Sequence, residues 1–409
     1  MKGDCNLEKQ VIIAGAGMGS VTDMTEGLLS AASRAELIIG PGRVVRSFGG
    51  EGRRIVSEYK AETIKDIVDE AEETRILVLV TGDQGFFSAA QRIRAALIEY
   101  SPSVMPGISS VSYMSACIGV PWSGAAIVSA HGRKLNIASV VRRNRVTYAL
   151  TGGNVSALLG TLCEYGYGGL QVFVGERLSY ADGKISKGTA EQLRRRRFDT
   201  LSIMAVINPG ADERIRTGIK DSEFIRGQVP MTKRFVRSAV LSAMELRADS
   251  TVWDIGAGTG SVSVEAALSA YKGTVFAIER EEEGIDLIGK NAVKFHADNI
   301  VPVYGQAPEA LEGLPPADVC FIGGAGGKLE QILEAIKGKN VERTRVVITA
   351  VTVQTLAAAS EALGKAGAED ISVSQIQVTE THRAGSHDLF RAQNPVFIIE
   401  GDITRGQVE

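Results

Sequence analysis

At 409 residues, the chain exceeds what one ordinary hydrophobic core organises, so two or three domains are expected. Its 45 basic and 48 acidic residues leave a formal charge of −3, which gives no electrostatic basis for nucleic acid or an anionic membrane as the main partner. No apolar run reaches bilayer-spanning length and the start, Met1-Lys2-Gly3-Asp4-Cys5, lacks the apolar core of a signal peptide, so the expectation is a cytoplasmic protein without membrane contact.

In chain order, Val11 to Ala14 reads as a strand running into Gly15-Ala16-Gly17-Met18-Gly19, and Thr25 heads a helix reaching Ala35. Leu37-Ile38-Ile39 resumes a strand, but it ends in Gly40-Pro41-Gly42-Arg43 with no acid to hold a ribose, which weakens a dinucleotide reading. Two further glycine turns follow: Thr81-Gly82-Asp83-Gln84-Gly85 after Ile76 to Val80, and Pro106-Gly107-Ile108-Ser109-Ser110 after a short extended stretch. Each alone is an ordinary turn. Three at the C-terminal ends of strands point to one cleft lined by backbone groups. Val155 to Cys163 reads as an amphipathic core helix, and Arg194-Arg195-Arg196-Arg197 as a solvated helix end in preference to an anion clamp. After the apolar strand Leu201 to Ile207, the polar stretch Asn208 to Arg214 reads as a linker. The expected domains are 8–212 and 216–402.

In the second half, strand-like runs alternate with helical ones: the region of Trp253, Val275 to Ile278, Val301 to Tyr304, Asp318 to Ile322, and Arg345 to Thr349. That implies βαβ units and a mostly parallel, Rossmann-like sheet. Ile371 to Val378 and Val396 to Ile399 leave no room for a long helix between them. They are expected to form an antiparallel edge joined by a loop around Thr381 to Asn394. The sharpest signal is Asp254-Ile255-Gly256-Ala257-Gly258-Thr259-Gly260, between a short apolar run and the helix-prone Ser261 to Ala267. Alternating glycines let the backbone bend and approach a ligand, and the free N–H groups of the following helix face the turn. Glu279, at the end of the next strand, is placed to accept hydrogen bonds from ribose hydroxyls. A dinucleotide site normally reads G-x-G-x-x-G to receive a pyrophosphate, whereas an acid directly before G-x-G-x-G would repel phosphate and suit a cationic amino acid group. S-adenosylmethionine (SAM) is therefore preferred to NAD; the alternative is a glycine turn that only packs helix on strand. The four cysteines are scattered, and His131, His296, His382 and His387 show no metal-ligand spacing, so no metal site is expected.

The order of motifs adds a resemblance. Gly15 to Gly19, Gly82-Asp83-Gln84-Gly85, Pro106 to Ser110, Ser129-Ala130-His131-Gly132-Arg133, Thr151-Gly152-Gly153 and Val174-Gly175-Glu176-Arg177-Leu178 together resemble the tetrapyrrole methylase family. From Asp221 onward, Pro230-Met231-Thr232-Lys233-Arg234, the Asp254 to Gly260 turn, Phe321 to Gly327 and Ala350-Val351-Thr352 resemble the decarboxylating precorrin methyltransferases of cobalamin biosynthesis. Met18 and Gln84 stand where the first family usually has proline, so these loops are expected to be less rigid. Phe235 stands where an acid follows Thr-Lys-Arg.

The resemblance implies a tetrapyrrole methylase fold of two α/β subdomains, followed by the Rossmann-like SAM domain. It also implies SAM-dependent C-methylation of a reduced precorrin-6 macrocycle at two meso carbons, with decarboxylation of a ring acetate. Meso carbons of a reduced tetrapyrrole are already nucleophilic, so positioning accounts for most of the catalysis and no nucleophilic side chain is needed. One SAM is implied against Gly15, Gly17, Gly82, Asp83, Gly107, Ile108 and Ser109, with the macrocycle facing His131 and Arg133. A second is implied in the glycine turn with Glu279, with Thr232 near its carboxylate and Gln306 or Ala307 near adenine. Lys233, Arg234, His382, Arg383 and His387 are candidates for orienting the departing carboxylate. The implied partners are an anionic tetrapyrrole and further copies of the chain, associating through the second domain. A protein or RNA methyltransferase, or a non-enzymatic nucleotide sensor, are the rival readings.

Overall fold

The computed structural model describes residues 9–404 except 50, 51, 133, 134, 213, 215, 216, 340 and 341. It divides into two compact units: one of the chain up to Lys134 with Arg145–Gly160 and Gly169–Pro209, the other of Leu135–Asn144, Thr161–Gly168 and the chain from Gly210.

The first unit holds two sheets. β1 (Gln10–Gly15), β2 (Leu37–Gly40), β3 (Arg54–Ser57), β4 (Arg75–Val80) and β5 (Ser103–Met105) form an all-parallel sheet in the order β3-β2-β4-β1-β5. Parallel strands are covered on both faces, which is why β2 and β4 are nearly continuous apolar runs. Ile13, Leu37, Ile39, Val78 and Leu79 are almost fully buried. β6 (Ala126–Ser129), β7 (Val146–Leu150), β8 (Gln171–Glu176), β9 (Lys184–Thr189) and β10 (Ser202–Ile207) form the second, mixed sheet, in the order β6-β7-β10-β8-β9. The expected Val155 helix is Val155–Glu164.

The second unit is built on β11 (Thr251–Ile255), β12 (Thr274–Glu279), β13 (Ile300–Tyr304), β14 (Val319–Ile322), β15 (Arg343–Ala350), β16 (Glu369–Ile376), a hairpin of β17 (Thr379–Ala384) and β18 (His387–Ala392), and β19 (Val396–Thr404). Seven of these form one sheet in the order β13-β12-β11-β14-β15-β19-β16, parallel through β15 and antiparallel at β19 and β16. The antiparallel edge is as the sequence predicts. The segment expected to be a loop around Thr381 to Asn394 is instead the β17–β18 hairpin, in register from Thr379↔Ala392 to Ala384↔His387. Its two-residue turn, Gly385-Ser386, uses a positive φ at Gly385, the chemistry a tight hairpin requires. No described helix is long and apolar enough to cross a membrane.

Within this unit, Leu135–Asn144 is held by Asp298. Its carboxylate accepts from the backbone N–H groups of Ala138 and Ser139 at 2.8 and 3.0 Å, satisfying amides at the start of the helix Ile137–Arg143 that have no partner within the helix.

Candidate functional site

In the second unit, β11 delivers the chain into a turn in which Gly256, Gly258 and Gly260 all have positive φ, a conformation that favours glycine. The N–H groups of Gly256 and Ala257 both donate to the carbonyl of Ile278 at 3.0 Å, tying the turn to β12. Glu279 closes the arrangement. One of its oxygens accepts from the N–H of Gly258 at 2.7 Å, and the other accepts from the N–H groups of Arg280 and Glu281 at 2.8 and 3.0 Å. A carboxylate oxygen accepts more than one hydrogen bond, so the oxygen bound only by Gly258 retains acceptor capacity for a ligand hydroxyl.

Around this corner lies a cavity of about 340 Å³, lined by Glu279, Arg280, Gln306, Ala307, the glycine-rich Gly323 to Gly326, and a strap containing Val229, Pro230 and Thr232. The backbones pack without room for side chains: a Cβ on Gly256 would lie 2.9 Å from both the N and the O of Gly324, and one on Gly258 would collide with the Pro230 carbonyl. Gly324 faces open space.

The strap is fixed from behind by a buried ion pair. Arg237, fully buried, donates to Glu265 at 2.6 Å, to the Thr232 carbonyl at 2.5 Å and to the Ile219 carbonyl, while Glu265 accepts from the N–H groups of Gly218 and Ile219 at 2.7 and 3.0 Å. A buried charge pair is tolerated when its remaining donors and acceptors are satisfied, as most are here.

Gly256, Ala257, Gly258, Glu279, Thr232, Gln306 and Ala307 all line the cavity. Asp254, Thr259 and Gly260 do not. β11 runs to Ile255, which places Asp254 inside a strand with its side chain fully buried, accepting from the Ser263 hydroxyl. Burial pushes its carboxyl up to about 7. The acid of the motif thus holds the helix Ser261–Ser269 against the strand, and the acids that line the cavity are Glu279 and Glu281. Lys233 is exposed beside the strap, and Arg234 donates to the Gly218 carbonyl at 2.7 Å. His382, Arg383 and His387 are exposed on the hairpin, where Arg383 pairs with Asp388 at 3.2 Å. None of these five lines the cavity, although the hairpin leaves the sheet at the same end as the glycine turn, since Phe397 of β19 pairs with Ala350 at the end of β15. Gly323 to Gly326 belong to the Phe321 to Gly327 motif and Pro230 to the Pro230 to Arg234 motif, although the sequence reading assigns neither to the cofactor; Val229 carries no signal.

In the first unit, three expected glycines meet. A Cβ on Gly15 would lie 2.7 Å from the Gly82 carbonyl and 2.8 Å from the Gly107 nitrogen. Gly17 and Gly82 exchange backbone hydrogen bonds, at 3.1 and 2.6 Å, which join the first two turns. Met18 itself is buried. Asp83 accepts from the N–H groups of Gly85 and Gly107 at 2.9 and 3.0 Å, so its carboxylate joins two turns.

Beside them is a cavity of about 370 Å³ lined by Gly17, Gly82, Ser109 and His131, and also by Arg43, Arg92, Phe86 and Phe87, which the sequence reading did not single out. A Cβ on Gly82 would meet nothing, so this backbone faces the cavity. Gly15, Asp83, Gly107 and Ile108 support the lining from behind. Ser109 also caps the helix Ser110–Ile118, accepting from the N–H of Ser112. Arg133 lies outside the described residues. Among the described residues no group of three or more His, Cys, Asp or Glu is arranged to hold a metal.

A glycine turn after β11, closed by the acid at the end of β12 with spare acceptor capacity, fits an adenosine-containing cofactor, and the matches that follow place the chain among the SAM-dependent methyltransferases. Residues 10–194 match the tetrapyrrole (corrin/porphyrin) methylase family and residues 224–401 the precorrin methyltransferase domain. Among curated relatives, a probable cobalt-precorrin-6B C(15)-methyltransferase (decarboxylating) of Pyrobaculum calidifontis is 46% identical over 44% of this chain and 94% of its own. The precorrin-6Y C(5,15)-methyltransferase [decarboxylating] of Sinorhizobium sp is 31% identical over 68% of each chain. The cobalt-precorrin-6B C(15)-methyltransferase (decarboxylating) of Salmonella typhimurium is 38% identical over 44% of this chain and 94% of its own. The chain belongs to the family of decarboxylating precorrin methyltransferases.

Proposed function

We propose that each unit binds one SAM and methylates one meso carbon of a reduced precorrin-6 macrocycle, two transfers per chain, and that the second unit also removes CO2 from a ring acetate. The observation that carries this reading is the pair of glycine-cradled cavities, each at the C-terminal ends of parallel strands and each complete within its own unit.

SAM supplies an electrophilic methyl group, and the chain supplies placement. In the second unit Glu279 receives ribose hydroxyls, the strap at Pro230 and Thr232 limits water from one side, and Gln306 with Ala307 flanks adenine. In the first, Gly17, Gly82 and Ser109 present backbone and hydroxyl groups, and His131 sits at the cavity wall, 3.3 Å from the Ser129 hydroxyl. For decarboxylation, the C–C bond to the carboxylate breaks, its electrons pass into the conjugated ring and a proton from solvent is then taken up, so the protein needs to orient the carboxylate and leave the ring open to that proton. Lys233, exposed next to Thr232, suits that task. Arg234 does so less, because its guanidinium is engaged by Gly218.

The enzyme acts in the cytoplasm, without nucleic acid, as a homo-oligomer joined through the second unit. The association is supported by two features of this unit: β16 is an exposed edge strand, open to pairing, and Val351, Val353, Leu389 and Phe390 are apolar side chains exposed at 69%, 77%, 50% and 82%.

Product mass tests the division of labour in the full chain. Two methyl additions, each replacing a hydrogen that leaves as a proton, raise the mass by about 28 units, and loss of CO2 with uptake of a proton in its place lowers it by about 44, for reactions that depend on positioning and an electron sink. Gly258→Val should leave a single methyl addition and no CO2 release, while Gly15→Val should leave CO2 release intact on substrate already methylated once. CO2 release persisting in Gly258→Val would overturn the assignment.

A further inference from the structure

The first unit's cavity has an electrostatic character that its glycine turns do not explain. Arg43, from the helix Gly42–Val45, and Arg92, from the helix Ala90–Ala96, both line it, and no Asp or Glu does. Neither arginine forms an ion pair with a described residue. In the second unit's cavity, by contrast, Arg280 is paired with Glu281 at 3.1 Å and Glu279 faces inward.

Two guanidinium groups without an ion-pair partner in one cavity suit carboxylates, which they engage through paired, charge-assisted hydrogen bonds. The same cavity is lined by Phe86 and Phe87, with ring centroids 5.1 Å apart at 89°. Phe87 is 60% exposed and holds a φ of +48°. An L-residue in that region carries backbone strain, and strain of this kind clusters at ligand contacts. An exposed aromatic held so is placed for a flat partner.

We propose that Arg43 and Arg92 anchor two peripheral carboxylates of a planar polycarboxylate macrocycle that lies against Phe86 and Phe87. The inference rests on the tetrapyrrole reading above and adds the residues that select the substrate in this unit. SAM also carries a carboxylate, but it carries a cationic ammonium and sulfonium as well, and two free arginines oppose both.

The test is equilibrium binding of uroporphyrin III, an octacarboxylate tetrapyrrole, to the full chain, followed by fluorescence quenching, with SAM titrated in parallel by calorimetry. Arg43→Gln and Arg92→Gln should each weaken uroporphyrin binding about tenfold, as expected for loss of charge-assisted hydrogen bonds, and the double variant should weaken it further and flatten its salt dependence. Arg94→Gln, on the same helix but outside the cavity lining, should bind as the wild type does, and SAM affinity should stay constant throughout. Wild-type uroporphyrin affinity in the double variant would overturn the assignment while leaving the tetrapyrrole reading intact. A loss of SAM affinity instead would assign the arginines to the methyl donor. No uroporphyrin binding by the wild-type chain would remove the tetrapyrrole reading of this cavity, and the inference with it.

Discussion

Substituting Gly258 with alanine probes the second unit's site at its tightest point. The residue has a φ of +55°, and an added Cβ would fall well inside contact distance of the Pro230 carbonyl oxygen. Two costs follow. Holding alanine in the left-handed region costs about 1–2 kcal/mol, and restoring an ordinary contact distance requires the strap to retreat by about 1 Å. Because Thr232 is tethered through its carbonyl to Arg237, the movement concentrates at Val229 and Pro230, which with Thr232 line one side of the cavity. A displacement of that size slows a reaction that depends on positioning about 100-fold. The methyl transfer and CO2 release proposed for the second unit should therefore fall about 100-fold, calorimetric SAM titration should show the second-unit site weakened with the first-unit site unchanged, and the thermal midpoint of the second unit should drop by roughly 2–8 °C. Gly324→Ala is the companion: it lines the same cavity but its Cβ would meet nothing, so it should weaken SAM binding without lowering the midpoint. SAM binding at wild-type strength in Gly258→Ala would refute the claim that the strap bounds the site.

Arg237→Met leaves Glu265 buried and charged, so it should destabilise the second unit by about 3–5 kcal/mol in urea unfolding. Adding Glu265→Gln should recover part of that loss, and no recovery would locate the cost elsewhere. Asp254 titrates in the folded chain near 7 against 3.8 unfolded, so the folded state binds its proton more tightly and the group lowers stability progressively from pH 3.8 to about 7, by at most about 4 kcal/mol. Asp254→Asn should thus gain stability relative to the wild type as pH rises through that window, and parallel pH profiles for the two chains would contradict the burial argument.

The sequence made the strands and glycine turns legible because buried parallel strands are continuous apolar runs and the turns after them demand glycine. It made Glu279 legible through its place at the end of the second strand. Asp254 was misdirected toward the ligand because its neighbours in sequence are the cradle, whereas the alternation of a strand turns it toward the helix behind. The β17–β18 hairpin was concealed by charge: Glu380, Arg383, Asp388 and Arg391 break the apolar alternation that marks a strand, and only Gly385-Ser386 hinted at it. Arg237 and Glu265 meet across segments far apart in the chain, so no local pattern announces them. Arg43 follows a glycine turn and Arg92 sits within a helix; each looks like surface charge until the fold sets them around one cavity.

The meeting of Gly15, Gly82 and Gly107 bears on how this enzyme can change. Gly15 and Gly107 admit no side chain because main-chain atoms already occupy the space, and Gly82, though open on its Cβ side, holds a φ of +71° that favours glycine, yet the three ask almost nothing of the residues between them. Met18 and Gln84 lie in turns that the Gly17–Gly82 bridge ties together through backbone atoms alone. Neighbouring positions are thereby released to drift, and anyone retuning the first unit for a different macrocycle should vary Met18, Gln84 and the cavity wall while leaving the glycine knot untouched.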